Sequence, residues 1–353
     1  VDHHTFSPPS YDLLREIGRS TGDRAIYYLA TAQTSQQKVI ISRYLFPENK
    51  SDLVASFNHA AILPRLKAIK NEGILAYLDG FSINNSVCFV QEYSDLTHLV
   101  ISPQTSLQDL YQTIIQILKI LASLQSSSSP VFDCHLSPDS IWTDETGKLY
   151  LMDFGYAQIG EQLMPLAMAK LGRNSEFFAP ENQRNRPLTT KSDLYSLGVT
   201  IIYWLLQKDA GKNTTITGSD GSINVAGLIP ETVSLEWIEW LEKMAAISPK
   251  DRFRDAETAL ENFQDIYLER SADLQIRPEI ISFKANRYGE ILSETVTIFN
   301  PVPNTNLSGK IYFQDASSRM IERKSNWLTA KPSHFEGNKV DIQLMVDTSK
   351  LMA

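Results

Sequence analysis

Two short stretches carry side chains that could do chemistry. Asp153-Phe154-Gly155 follows the apolar run Leu149-Tyr150-Leu151-Met152, so a carboxylate stands where a strand gives way to a turn. There it can hold a metal ion or simply fix the turn. Upstream lies Asp133-Cys134-His135-Leu136-Ser137-Pro138-Asp139-Ser140. An unperturbed histidine titrates near pH ~6.5, so His135 is a candidate general base. Asp133 or Asp139 could orient it; the plainer alternative is a loop histidine satisfied by hydrogen bonds. Cys134 reads as a small packed thiol rather than a redox sensor. With only two cysteines, Cys88 and Cys134, a Cys-x-x-Cys zinc site is impossible and a disulfide framework is not expected. The six histidines show no metal-ligand spacing.

The elements that must position these groups follow from pattern. The chain has 353 residues, enough for about two domains. Its 42 % apolar and 21 % charged content excludes a disordered or fibrous protein. Net charge is −8, from 33 basic and 41 acidic residues, which argues against a general nucleic-acid binder. No apolar run approaches the ~18 residues of a membrane span. The start, Val1-Asp2-His3-His4, has neither a signal peptide's pattern nor an initiator Met. The expectation is therefore a cytoplasmic chain, excised from a longer protein.

Strands are expected over 13–17, 25–31, 39–46 and 86–93, with one helix at about 53–66 between them. From Leu107 the apolar positions Leu110, Ile114, Ile115, Leu118, Leu121 and Leu124 recur at helical steps. Residues 192–207 are apolar on nearly every side, as in a helix at the centre of a core. Helices at about 233–246 and 255–270 follow. Near 272 the character changes. Leu292, Val296 and Ile298 share one phase, broken by Glu294, and Val340, Ile342, Leu344 and Val346 alternate cleanly. This predicts short strands in a β-sandwich over 272–353, whose end falls before such a domain would close.

Further motifs lie beyond Asp153-Phe154-Gly155: Ala179-Pro180-Glu181, then Ser192-Asp193-Leu194-Tyr195-Ser196-Leu197-Gly198, then Pro249-Lys250-Asp251-Arg252-Phe253, with Val90-Gln91-Glu92-Tyr93 upstream. In this order and spacing they resemble the protein kinase family, with the flavour of cyanobacterial serine/threonine kinases. The resemblance covers about residues 11–271. It implies an α+β, two-lobed fold, with a small β-rich N-lobe (11–93) and a large helical C-lobe (94–271). An all-β immunoglobulin-like sandwich then follows. It also implies structural jobs. Glu181 would pair with Arg252, and Asp193 would accept hydrogen bonds from the catalytic-loop backbone.

The same resemblance finds the chemical positions replaced. In H-R-D-x-x-x-x-N the catalytic Asp falls on His135, the loop Lys on Ser137 and the Asn on Ser140. The Arg falls on Cys134, leaving an activation-loop phosphate no cationic partner there. The third-strand Lys of V-A-I-K falls on Ser42, forfeiting a charged hydrogen bond of roughly 1.5–3 kcal/mol. Arg43 follows, but alternation turns it to the opposite face unless a bulge brings it in. The partner Glu falls on His59, or on Ala60. Of the phosphate-covering glycines only Gly18 and Gly22 remain, with Asp23 adding negative charge. Of the main magnesium and phosphate ligands, Asp153 alone survives. Ser175 is the only Ser or Thr between Asp153 and Glu181, so regulation by phosphorylation there is not indicated.

Three functions are consistent with this pattern. One is a catalytically inactive scaffold or regulator whose C-lobe and β-sandwich engage a protein partner, needing no cofactor. A second is a switch that binds ATP weakly through Gly18, Gly22, Glu92, Tyr93 and Asp153, with magnesium on Asp153, and transfers no phosphate. The third is an atypical serine/threonine kinase with Arg43 or His135 in new roles. Side chains such as Phe154 or Tyr27 could fill the adenine pocket.

Overall fold

The computed structural model describes residues 7–20, 25–132, 136–159, 162–164, 176–183, 189–208, 216–218, 222–302, 305–314 and 327–351. Five strands, β1 (Tyr11–Arg19), β2 (Ala25–Ala32), β3 (Lys38–Leu45), β4 (Tyr77–Ile83) and β5 (Ser86–Glu92), form an antiparallel sheet. Their order is β1-β2-β3-β5-β4. Asn84, at φ 49°, supplies the left-handed residue that the tight β4–β5 hairpin needs. One face buries Ile26, Tyr28, Val39, Ile41, Cys88 and Val90 beneath Tyr11, Leu13, Leu45, Phe81 and Ile83. Successive side chains alternate between faces, so Tyr27, Ser42 and Phe89, paired in register, share the other. Two register shifts in β1 help the sheet curl. Its edge strands meet: the Tyr11 hydroxyl donates to Asp79 Oδ2 at 2.9 Å, and the Tyr11 and Phe81 rings stack at 5.9 Å.

The helix expected over 53–66 is instead two, α1 (Ser51–Ser56) and α2 (His59–Ala68). Phe57 turns extended (φ −66°, ψ 117°) and buries its ring, and Asn58 restarts the helix by accepting the Ala61 N–H on Oδ1 at 3.1 Å.

After β6 (Thr97–His98), α3 (Leu107–Gln125) forms where the apolar stripe requires it. Ser106 caps it by accepting the Asp109 N–H at 3.0 Å. Its buried leucines and isoleucines are each worth about 1.5–3 kcal/mol. Next come β7 (Val131–Phe132), β8 (Ile141–Thr143), β9 (Leu149–Leu151), β10 (Gln158–Ile159) and β11 (Gln162–Leu163). They make two small sheets, β6-β8-β9 and β11-β10-β7. The helices α4 (Pro180–Gln183), α5 (Thr190–Lys208), α6 (Val225–Leu228), α7 (Leu235–Met244) and α8 (Ala256–Glu261) follow. In α5 Leu194, Leu197, Val199, Ile201, Ile202, Trp204 and Leu205 are all buried. The helix expected over 255–270 stops at Glu261 and continues as turns. Phe263 is drawn fully inward against Trp237 and Trp240, with ring centroids 5.4 and 4.4 Å away.

The chain divides into two compact units, 1–230 with 235–268, and 231–234 with 269–353. In the second, β12 (Gln275–Arg277), β13 (Ile291–Phe299), β15 (Leu328–Lys331) and β17 (Lys339–Asp347) form an antiparallel sheet ordered β12-β13-β17-β15. β14 (Ser308–Lys310) and β16 (His334–Glu336) form a separate pair. The two alternating phases of the sequence face each other: Leu292 opposes Val346, Val296 opposes Ile342 and Ile298 opposes Val340. Glu294 opposes Leu344 and stays exposed. Buried Asn300 ties the turns together. Its Nδ2 donates to Thr305 Oγ1 at 2.7 Å and Asn338 Oδ1 at 2.9 Å, and its Oδ1 accepts from the Asp273 and Val302 amides. No described helix is long and apolar enough to cross a membrane.

Candidate functional site

The inner face of the five-stranded sheet looks onto β8 and the turn after β9. Gly18 of β1 lies on two aromatic rings there. A methyl group at Gly18 would stand 2.7 Å from His98 Nε2 and 2.8 Å from Trp142 Cη2, closer than real Cβ atoms approach. Trp142 and His98 are cross-strand partners in β8 and β6, with ring centroids 3.9 Å apart. The Trp142 ring also meets Tyr27 edge-on at 5.3 Å, and its Nε1 donates to the Asp139 carbonyl at 3.1 Å. Trp142 and Tyr27 are both wholly buried. A continuous aromatic plug thus joins the sheet to the β6-β8-β9 layer. Burial pushes the His98 pKa down, against the opposing pull of Asp139, and favours its neutral form.

Ser42 of β3 faces the same interior. It is buried, and its hydroxyl has no hydrogen-bond partner. Arg43 lies on the opposite face, where its Nε donates to Ser86 Oγ at 3.1 Å; no bulge brings it inward. His59 does not take an acid's place opposite Ser42. It sits in the first turn of α2, with Nε2 2.9 Å from Ser82 Oγ and its ring against Phe57 and Phe89. Burial lowers its pKa. The side chains that α2 buries are Ile62 and Leu66, and the helix carries no Asp or Glu. No carboxylate–ammonium pair can therefore link α2 to β3.

Ser137 and Ser140 close on each other. The Ser137 N–H donates to Ser140 Oγ at 3.0 Å, and that hydroxyl donates back to the Ser137 carbonyl at 2.8 Å. Both residues are buried. A Lys and an Asn at these positions could reach outward toward a ligand, whereas Ser140 spends its short side chain on the Ser137 backbone in the turn around Pro138. Thr200 of α5 donates to the Leu136 carbonyl at 2.8 Å, and the Met152 amide to the Ser140 carbonyl at 2.8 Å, anchoring the loop on both sides. Asp133, Cys134 and His135 lie outside the described residues, as do Gly22, Asp23 and Ser175.

Asp153 adopts the left-handed backbone conformation (φ 64°, ψ 49°) and is buried. Burial pushes its pKa up from 3.8 to about 7, and Asp139 adds to the rise. The Gly155 amide and the Tyr27 hydroxyl pull the other way. Even so, Asp153 Oδ1 and the Tyr27 phenol oxygen each lack a hydrogen bond of ordinary geometry. Magnesium prefers six oxygen ligands in a near-ideal octahedron. Asp153 stands beside the Tyr27 phenol, and the Ser140 hydroxyl is already engaged. Among the described residues no three His, Cys, Asp or Glu side chains converge. Asp153 is the buried carboxylate these residues would offer the ion, its other places falling to water or phosphate oxygens.

Of the remaining candidates, Glu92 is exposed, and its Oε1 accepts the Ala76 N–H at 3.1 Å. The Tyr93 ring lies beneath Lys38 Nζ at 5.3 Å. Phe154 is buried. Glu181 and Arg252 form a bidentate ion pair at 2.7 and 2.9 Å. Arg252 spends its other N–H groups on the carbonyls of Lys191, Ala246 and Ile247, so the buried guanidinium is fully satisfied. Asp193 accepts from Gln125 Nε2 at 2.8 Å, and Gln125 also accepts the Ala256 amide, pinning α3 to α5 and α8. Trp142 and His98 were missed as cleft residues. The signal was present two positions after Ser140, where a bulky indole sits in the middle of a strand.

The model of the protein kinase domain family matches residues 11–263. Serine/threonine-protein kinase F of Synechocystis is 28 % identical over 156 residues, covering 42 % of this chain and 29 % of that protein. Human serine/threonine-protein kinase Nek5 is 23 % identical over 251 residues, covering 69 % of this chain and 34 % of that protein. The mouse kinase Nek1 is 23 % identical over 198 residues, 54 % of this chain and 16 % of that protein. The chain therefore spans about a third or less of these relatives' lengths.

Proposed function

Because its residues 11–263 match the family model, the chain belongs to the protein kinase domain family, and we propose that it is a catalytically inactive member that regulates by binding a protein partner. The aromatic plug carries this reading. Gly18 and Tyr27 pack on His98 and Trp142 where a kinase would admit a nucleotide. Phosphoryl transfer is mostly positioning and electrostatic stabilisation. Here the positioning groups are a buried Ser42, a self-closed Ser137–Ser140 turn and a carboxyl with a pKa near 7. We take no cofactor to be required, and the C-lobe and C-terminal unit to supply the partner surface. For that unit the proposal retains an immunoglobulin-like sandwich, on the strength of its two antiparallel sheets.

A second reading has its own support. The relatives are named serine/threonine kinases, and Asp153 keeps an unengaged oxygen. A nucleotide-responsive switch or an atypical kinase would use it. Melting the protein with ATP, with and without magnesium, beside a phosphate label-transfer assay, separates the cases. The inactive regulator gives no shift and no label. A magnesium-dependent shift without label gives the switch. Label lost in Asp153→Ala gives the enzyme.

A further inference from the structure

A small cavity that shares no residue with the plug lies between the C-terminal ends of α2 and α3. Its volume is about 60 Å³, and Arg65, Lys70, Asn71, Ser123, Ser128 and Ser129 are among its lining residues. A cavity of about 150 Å³ is what benzene needs, so this one is too small for a nucleobase or sugar ring. It suits one tetrahedral group. No Asp or Glu lines it. Among the described residues Arg65 and Lys70 have no carboxylate within ion-pair distance, and the hydroxyls of Ser123, Ser128 and Ser129 make no hydrogen bond. Ser127, by contrast, spends its hydroxyl on the Leu124 and Ser129 carbonyls. Asn71 is likewise spent, donating to the Ile120 carbonyl and accepting the Gly73 amide.

Lys70, Ser123 and Ser128 are exposed and Arg65 and Ser129 half-buried, so two cations and three hydroxyls without protein partners line one solvent-accessible hollow, where an anion would displace only water. We infer that this cavity binds a single phosphoryl-type oxyanion, held by Arg65 and Lys70 and by the hydroxyls of the Ser123–Ser129 segment. A guanidinium suits such oxygens because its planar fork gives paired donors, and the lysine adds a mobile point charge. The rival account is that both cations merely offset the negative ends of the two helices. In that case added phosphate has no effect. The site is independent of the nucleotide cleft, so this inference and the proposed function can fail separately.

The test is thermal melting in inorganic phosphate against sodium chloride at equal ionic strength, with ³¹P line broadening as a second readout. Phosphate should raise the melting temperature by about 2–4 °C beyond chloride, roughly the effect expected of modest ligand binding in a unit of this size. The rise and the broadening should vanish in Arg65→Gln and in Lys70→Gln. They should persist in Lys67→Gln, which removes the same charge from α2 outside the cavity. Ser128→Ala should weaken binding several-fold and serves if the charge variants fold poorly. O-phosphoserine in a parallel titration separates a free anion from a phosphomonoester as the natural source: tighter binding than inorganic phosphate assigns the ester, and weaker binding assigns the free ion. The inference is overturned if phosphate and chloride act alike, or if Lys67→Gln loses the effect as fully as Arg65→Gln does.

Discussion

Asp153→Asn should make the protein more stable at neutral pH, and by an amount that grows with pH. Raising a carboxyl from 3.8 to about 7, at about 1.4 kcal/mol per pH unit, means that ionising it in the fold costs about 4 kcal/mol. The folded state holds the proton more tightly than the unfolded chain. Stability from this group is therefore full below pH ~4, falls as pH rises, and is lost above pH ~7. Asn matches the neutral acid in shape and tolerates φ 64°. Its advantage over Asp should be about 2 kcal/mol at pH 5 and about 4 kcal/mol at pH 8. Urea melts of both proteins at each half pH unit, without divalent ions, measure this difference while the other carboxylates cancel. A pH-independent difference, or an Asn variant less stable than wild type at pH 8, would refute the placement of Asp153 as a buried, unpaired acid. The second result would instead mark a carboxylate held ionised, as an active kinase requires.

Other outcomes follow from the same geometry. Arg252→Ala should cost about 3–5 kcal/mol by leaving Glu181 buried without its partner, read as a drop in urea midpoint. Trp142→Ala should cost about 3–5 kcal/mol and open a void beneath Gly18. If the indole alone blocks the cleft, ATP should stabilise this variant and not the wild type. Gly18→Ala should destabilise by at least about 1 kcal/mol, because the added methyl meets His98 and Trp142. A double variant with Trp142→Leu should recover part of that loss in the same melts. Asn300→Ala should remove a buried hub of turn hydrogen bonds and lower the stability of the C-terminal unit by about 1–3 kcal/mol, seen as faster amide exchange in β13 and β17.

Much of this was legible in the residues because motif order is a local record. Asp153-Phe154-Gly155, Ala179-Pro180-Glu181 and Asp193 each declare a turn or helix start, and together they declared the kinase fold. The stripe from Leu110 to Leu124 and the paired phases of 292–298 and 340–346 likewise carried their periods in plain view. The substitutions at Ser42, Ser137 and Ser140 were also visible, but what the serines do instead was not. Ser137–Ser140 closure depends on rotamers, and the unengaged Ser42 hydroxyl on what packs beneath the sheet. The plug was hidden for another reason. Gly18 and Trp142 meet only because β6 pairs with β8 and that layer rises against β1, and no periodicity records such a contact. The break at Phe57 escaped the pattern because one buried ring outweighed several residues of helix propensity.

The plug also bears on how the two lobes come apart. In a hinged pair of lobes, the cleft is where water enters first and where slow breathing begins. Here that seam is closed by an indole set against a glycine and a phenol that are cross-strand neighbours in the sheet. Opening it exposes Tyr27 and Trp142 together, at a cost of about 1.5–3 kcal/mol or more for each ring. The small lobe should therefore not loosen ahead of the large one. Amides of β2 and β3 should exchange only with those of α5, as one cooperative block.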